Sequence, residues 1–257
     1  MRLSIILALF AFTFPLFASD AGAMTFDQLN NKITAQGEKF KKEVKDITIR
    51  QTMTMEEDGQ KMVQKMTMYK KGKKSRMESE MDMPGMGPMK SKSINDGKKQ
   101  WVYSDLSGGW SEVPKDESYT VGPSDWWADE KRTGKVLGEE TVGGRAGWKV
   151  LFKDHGESEL VWFDKKGYFP LKTVNQSDGT ESRFSDFREN AGFTWPYRME
   201  IFQNGVKKGT MVIEKMKING GLKDSLFTVP KDAGTKQPNL QEMMKRFGGM
   251  MKNGGED

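Results

Sequence analysis

The chain has no cysteine and a single histidine, His155. The first absence excludes disulfides, thiolate metal centres, cysteine nucleophiles and the lipidated cysteine of a bacterial lipoprotein. The second leaves little for metal ligation or general-base chemistry, and His155 lies in Asp154-His-Gly156, the pattern of a turn between strands. There is no Gly-x-Ser-x-Gly, no His-Glu-x-x-His and no phosphate-cradling glycine loop. The carboxylates form no pair beside a base or nucleophile. These absences lead to the expectation that the protein is not an enzyme and carries no cofactor. Only one long apolar run occurs, at the start of the chain.

That run reads as an export signal. Arg2 supplies a positive start, residues 3–17 carry no charge, and Ala21-Gly22-Ala23 has the small-x-small form a signal peptidase cuts after. The run falls short of the roughly 20 apolar residues that span a bilayer, and Pro15 interrupts it. Cleavage is expected after Ala23, with Ala18 as the second choice, which puts the mature chain in the periplasm. Without disulfides, such a chain must be held by its core. The formal charge is +5 among 41 basic and 36 acidic residues. The lysines are scattered through turns and strand faces, which indicates a solubilising surface and no nucleic-acid partner.

What is present is mostly β-pattern. Short strand-like runs at 160–163, 171–174, 182–187, 197–202 and 210–213 alternate with the turn signals Asp164-Lys-Lys-Gly167, Ser177-Asp-Gly179, Asn190-Ala-Gly192 and Asn204-Gly205. This spacing is that of an antiparallel meander. Earlier, Ile47, Ile49, Met53 and Met55 alternate with polar residues, and Met62, Met66 and Met68 repeat the pattern after a turn at 56–60. Trp148, Val150 and Phe152 form a further apolar face, and Asp96-Gly97 marks another hairpin. Period two puts each set on one sheet face. Trp101, Trp110, Trp148, Trp162 and Trp195 suit either sugar stacking or the lining of a cavity.

Two helical segments and a tail complete the chain. Thr25 and Gln28 form a capping box ahead of an apolar stripe (Phe26, Leu29, Ile33, Phe40), so a helix is expected over about residues 25–43. Ser124 can cap a short helix carrying Trp126 and Trp127. After Pro230 the composition shifts to a linker and a segment with Leu240, Met243, Met244 and Phe247 at helical spacing. It reads as a fraying tail or as an amphipathic helix that docks in an apolar groove.

Three segments resemble the periplasmic outer-membrane lipoprotein carrier family, the LolA-like fold. They are Val161-Trp-Phe-Asp164 with Pro170-Leu-Lys172, Gly192 with Pro196 and Met199-Glu-Ile201, and Ile218-Asn219 with Leu222-Lys-Asp224 and Leu226-Phe-Thr-Val-Pro230. Asn95-Asp-Gly97 with Trp101-Val-Tyr103 is similar to the family's middle strand pair. The resemblance covers about Thr25 to Pro230. It implies an α+β, mainly β fold: a curved antiparallel sheet, an incomplete barrel, whose concave face is covered by the capped N-terminal helix and the short Trp126-Trp127 helix. It also implies acyl chains of lipids or lipoproteins as ligand, and inner- or outer-membrane transport proteins as further partners. Arg76 and Arg50 are both candidates for the arginine latch of the dedicated carrier. The expected division is a signal peptide at 1–23, a carrier domain at 24–230 and a tail at 231–257, in a monomer. The cavity residues expected are Ile47, Ile49, Met53, Met55, Met62, Met66, Met68, Trp126, Trp127, Trp148, Val150 and Phe152.

A competing signal is the run Met81-Asp-Met-Pro-Gly-Met-Gly-Pro-Met89. Pro84, Pro88 and the glycines suit a mobile loop at a hairpin tip better than a strand interior. Met81, Met83, Met86 and Met89 are soft thioethers that could gather Cu(I). The alternatives to the carrier are thus a Cu(I)-binding envelope protein and a structural envelope protein with no ligand. The signal reading has a direct consequence. Protein isolated from the envelope should have the mass of a chain starting at Met24, and a mass that retains residues 1–23 overturns it.

Overall fold

The computed structural model describes residues 24–57, 59–83, 87–105, 107–114, 133–154 and 157–231. The signal segment with Ala23, the Trp126-Trp127 segment, Met86, His155 and the C-terminal segment lie outside the described residues.

The first element is helix α1, Phe26–Glu43. Thr25 is extended, its hydroxyl accepts the Gln28 N–H at 3.2 Å, and the Gln28 side chain accepts the Thr25 N–H at 3.1 Å. Two of the donors a helix start leaves unpaired are satisfied in this way. Leu29, Ile33 and Gly37 recur every four residues and form the buried line of the helix. The helix ends where Val44 turns extended and donates to the Phe40 carbonyl at 2.9 Å.

Thirteen strands follow: β1 (Asp46–Glu57), β2 (Gln60–Lys71), β3 (Lys74–Met83), β4 (Gly87–Asn95), β5 (Gln100–Ser104), β6 (Gly109–Val113), β7 (Thr133–Val142), β8 (Arg145–Asp154), β9 (Glu157–Asp164), β10 (Pro170–Asn175), β11 (Thr180–Asn190), β12 (Phe193–Gln203) and β13 (Val206–Ile218). They form one antiparallel sheet in the order β6-β5-β4-β3-β2-β1-β13-β12-β11-β10-β9-β8-β7. Both halves are meanders that grow outward from a central seam, where β1 pairs with β13. The sheet is not closed: β6 and β7, consecutive in the chain, are its two edges. The fold is therefore mainly β, with the capped helix and the incomplete barrel that the resemblance implies. The turn signals sit where expected. Asn204 and Gly205 both have positive φ, 50° and 79°. That is the backbone of a two-residue hairpin whose twist matches its strands, and Asn and Gly enter it at least cost.

One expectation is corrected. Met81, Met83 and Met89 belong to strands, not to a loop: Met81 pairs with Met89 and Met83 with Gly87. Pro88 is tolerated in β4, opposite Asp82, because β5 pairs with β4 only from Ser91 onward. The missing proline N–H therefore falls on a side of the strand with no paired strand among the described residues.

The end of β13 is tied back to the start of β1. The Asp46 carboxylate, nearly buried, accepts the N–H groups of Gly220, Gly221 and Leu222 at 2.7, 3.0 and 3.2 Å. The Asn219 side chain accepts from Lys45 N at 2.7 Å and donates to the Glu43 carbonyl at 3.0 Å. The chain then forms a 3-10 turn, Asp224–Phe227, over β3. There Arg76 donates to the Leu226 carbonyl at 3.0 Å, and Lys71 and Lys74 flank Asp224 at 3.1 and 3.3 Å. Hydrogen bonds from Lys71 and Lys74 hold the Asp224 carboxyl below its ordinary pKa. The carboxylate of Asp46 gathers three successive N–H groups of the 220–222 backbone. Asp46→Ala is expected to lower stability by about 2 kcal/mol, the cost of losing charge-assisted bonds to backbone donors. Urea unfolding would measure it, with Asp46→Asn falling between that variant and the native protein.

A methionine-lined inner face as candidate functional site

Strand alternation and register assign each side chain to the face that carries α1, called inner here, or to the opposite, outer face. The helix meets the inner face in two places. Its first half packs Leu29 and Ile33 on Val150, Phe152, Val161 and Phe163, with Phe26 edge-on to Phe152 at 5.7 Å. Its last turn packs Phe40 and Val44 on Ile47, Ile49, Met68, Trp195, Tyr197 and Ile213. Phe40 is edge-on to both Phe193 and Trp195, at 5.4 and 5.5 Å. A cavity of about 160 Å³ opens beside Phe40, lined by Gln36, Phe169, Phe193, Thr194 and Trp195. It is smaller than the few hundred Å³ that ligand pockets commonly offer.

The inner face continues past the helix into β1–β4 and β13–β12. One cross-strand row runs Met89, Met81, Gln64, Met53, Met211, Met199, Phe184 through β4, β3, β2, β1, β13, β12 and β11. The next row pairs Met62 with Met55. A third runs Ser91, Ser79, Met66, Gln51, Ile213. A fourth runs Ser93, Met77, Met68, Ile49, Met216. Met53, Met55, Met62, Met66, Met77, Met81, Met89, Met199 and Met211 are half-buried. Polar members of these rows bond sideways. Gln64 Nε2 donates to Ser79 Oγ at 3.3 Å, Ser79 and Ser91 hydroxyls are 2.8 Å apart, and Gln100 Nε2 donates to Ser93 Oγ at 3.2 Å.

The outer face is charged. Arg198 with Glu200, Lys172 with Glu181, Lys149 with Glu140 and Lys90 with Glu80 lie 2.9, 3.3, 3.2 and 3.8 Å apart. The exposed ones, such as Lys90 with Glu80, contribute about 0–1 kcal/mol each, so they solvate the face more than they stabilise it. Hydrogen bonds from Lys207 and then Arg198 hold the Glu200 carboxyl below its ordinary pKa.

The residues picked out by sequence fall into three groups. Ile47, Ile49, Met68, Val150 and Phe152 are buried under α1, and Trp148 packs beside them. A ligand reaches these only if the helix moves. Met53, Met55, Met62 and Met66 lie on the inner face beyond those two helix clusters, and Met81 and Met89 join them there. Trp126, Trp127 and Met86 are outside the described residues. Of the five sheet tryptophans, Trp148 and Trp195 face the helix. Trp101, Trp110 and Trp162 do not line the cavity: Trp101 lies across from Ile94 and Arg76, Trp110 from Tyr103, and Trp162 is held between Lys149 and Lys172 at 4.9 and 4.6 Å. An aromatic strand residue with lysines as cross-strand partners belongs to the charged face. Arg76 and Arg50 are also outer, by alternation from Met77 and Ile49. Met77, Met199, Met211, Gln64, Ser79 and Ser91 are inner-face residues that sequence reasoning missed. Alternation within Ser75-Arg-Met-Glu-Ser-Glu-Met81 carried the signal for two of these, Met77 and Ser79.

A single curled antiparallel sheet with a helix on its inner side is the architecture of the LolA-like proteins, and known structures bear this out. A DUF1329 family protein from Desulfovibrio piger superposes with a TM-score of 0.58 at 14% identity, over 77% of this chain and 95% of that one. A domain named for outer-membrane lipoprotein sorting, from Vibrio parahaemolyticus, gives 0.56 at 14% identity over 77% and 95%. A LolA-superfamily protein from Nitrosomonas europaea gives 0.53 at 16% identity over 80% and 99%. At these identities the likeness is one of fold. The chain itself belongs to the family described as Domain of unknown function (DUF4412), whose profile matches residues 48–233, from β1 through the 3-10 turn. No curated protein matches the sequence.

Proposed function

We propose that the protein is a periplasmic, non-catalytic carrier or binding protein for an apolar ligand, the acyl chains of a lipid or lipoprotein. The ligand lies between the inner sheet face and α1. The observation that carries this reading is the half-buried methionine row Met89, Met81, Met53, Met211, Met199 beyond the helix contacts. Thioether side chains are unbranched and adapt to an irregular flexible guest. Each methylene taken from water onto such a face contributes about 0.8 kcal/mol. A chain that displaced Phe40 or Leu29 would replace apolar contacts with apolar contacts, so the opening costs little. The shared fold with a domain named for lipoprotein sorting supports the same reading. So do the signal-like residues 1–23 and the missing lipidated cysteine, which fit an exported monomer that carries acyl chains and hands them to membrane transport proteins. Delipidated protein should bind a fluorescent monoacylglycerol, and Met53→Lys with Met211→Lys should weaken that binding at least tenfold. A native protein that binds no acyl probe overturns the proposal.

Met81 directly opposite Met89 favours a second reading, a Cu(I) site built with Met83 and Met86. Competition with a chromogenic Cu(I) chelator tests it. The native protein should withdraw the ion and a variant with all four methionines replaced by leucine should not. Failure of the native protein to compete refutes it.

A further inference from the structure

We propose that Met53, Met66, Met77 and Met81 form a modification site: they take up oxygen from small peroxides, and donors directly across the strands hold the resulting sulfoxides. The chain has 19 methionines and no cysteine. Without a thiol to react first, thioethers are its most readily oxidised side chains. These four are half-buried on the inner face, whereas Met68, 8% exposed, packs with Phe40 under the last turn of α1. Register sets a hydrogen-bonding side chain beside each of the four. Gln64 stands directly opposite Met53 on one side and Met81 on the other. Ser79 stands opposite Met66, and Ser93 opposite Met77. Side chains opposed in this way have Cβ atoms about 4.5–5.5 Å apart, so each donor is within reach of an oxygen added to its neighbour.

A thioether is a weak acceptor and offers these donors little. Gln64 Nε2 gives one N–H to Ser79 Oγ at 3.3 Å and has a second. Ser93 Oγ accepts from Gln100 at 3.2 Å, and a hydroxyl that accepts still has its own proton to donate. A sulfoxide oxygen is a strong, dipolar acceptor. Donors that bond the oxidised side chain and not the reduced one stabilise the oxidised form within the fold. In the step itself, the sulfur lone pair attacks one oxygen of hydrogen peroxide. An S–O bond forms as the O–O bond breaks, and the second oxygen leaves as water with the proton. Sulfur gives up two electrons and the peroxide takes them. The four methionines lie outside the clusters that α1 makes with the aromatic residues, so the fold withstands the change. Oxidation turns a thioether surface polar, which lowers its affinity for hydrocarbon; this last consequence alone rests on the carrier reading.

The test is oxidation of the mature protein by hydrogen peroxide, followed at each methionine by peptide mass spectrometry. Met53, Met66, Met77 and Met81 should convert at least tenfold faster than Met68. The product should stay folded, with a urea midpoint close to that of the reduced protein. Gln64→Leu with Ser79→Ala should widen the gap between oxidised and reduced midpoints severalfold, each form being compared within the same variant. Ser93→Ala gives the same comparison through Met77 should the double variant not fold. Equal rates at all five methionines overturn the inference, and so does a native protein that unfolds on oxidation. A gap unchanged by loss of the donors overturns it too. The oxidised protein should bind a fluorescent monoacylglycerol at least tenfold more weakly than the reduced one, and equal binding by the two forms counts against the inference. If the reduced protein binds no monoacylglycerol, the carrier reading fails, while the modification site is still decided by masses and midpoints.

Discussion

β1 and β13 meet from opposite ends of the domain, whereas every other neighbouring pair in the sheet is joined by a short link in the chain. Closing so long a loop costs more entropy than any hairpin, though the cost grows only slowly with length. The seam recovers it with pairing from Ile47–Ile218 to Met55–Gly209, interrupted by one bulge between Arg50 and Gln51, and with the Asp46 and Asn219 bonds that close its end. Two independent meanders become one sheet there. Register at the seam also decides what the inner face is. Met53 lines up with Met211, which in turn lines up with Met199, so the methionines of the two halves form one surface. A slip of one residue would turn every one of these side chains to the charged face.

The helix follows from that surface. A face of Ile, Val, Phe and Met must be covered, and α1 covers it where the aromatic residues are densest, at β8–β9 and at β12 with β1. Leu29 and Ile33 are almost wholly buried, whereas the methionines further along β1–β4 are only half so. Cover is thus strong at the aromatic half and partial over the thioether half. The fold is therefore held chiefly where the helix and the aromatic side chains meet. The outer face is covered locally by the 3-10 turn beside Arg76, and elsewhere presents many solvated or paired lysines, arginines and carboxylates.

Much of this was legible in local patterns. The capping box located α1 to within a residue, because Thr25 and Gln28 act over three positions and need nothing distant. The hairpin signals located the meander for the same reason. The Met81–Met89 run was misread as a loop because proline and glycine were weighed by type alone. Whether Pro88 is tolerated depends on where β5 stops pairing, and that is not a local fact. Bulk alone leaves the tryptophans open between sugar stacking and cavity lining. Their true faces depend on partners such as Lys149 and Lys172, which lie on other strands. The serine and glutamine rows went unnoticed since each strand contributes only one or two of their members.

By itself the sequence determined which segments pair as hairpins, where the helix begins, and which side chains of each strand share a face. These are consequences of turn chemistry, capping and the two-residue pleat, all of which act within a few residues. Only the tertiary structure decided that the first and last strands join, that α1 lies over Val150 and Phe152 but stops short of Met53 and Met81, and that thioethers from six strands form one surface. Those outcomes depend on register between residues far apart in the chain, and register is set by the whole sheet at once.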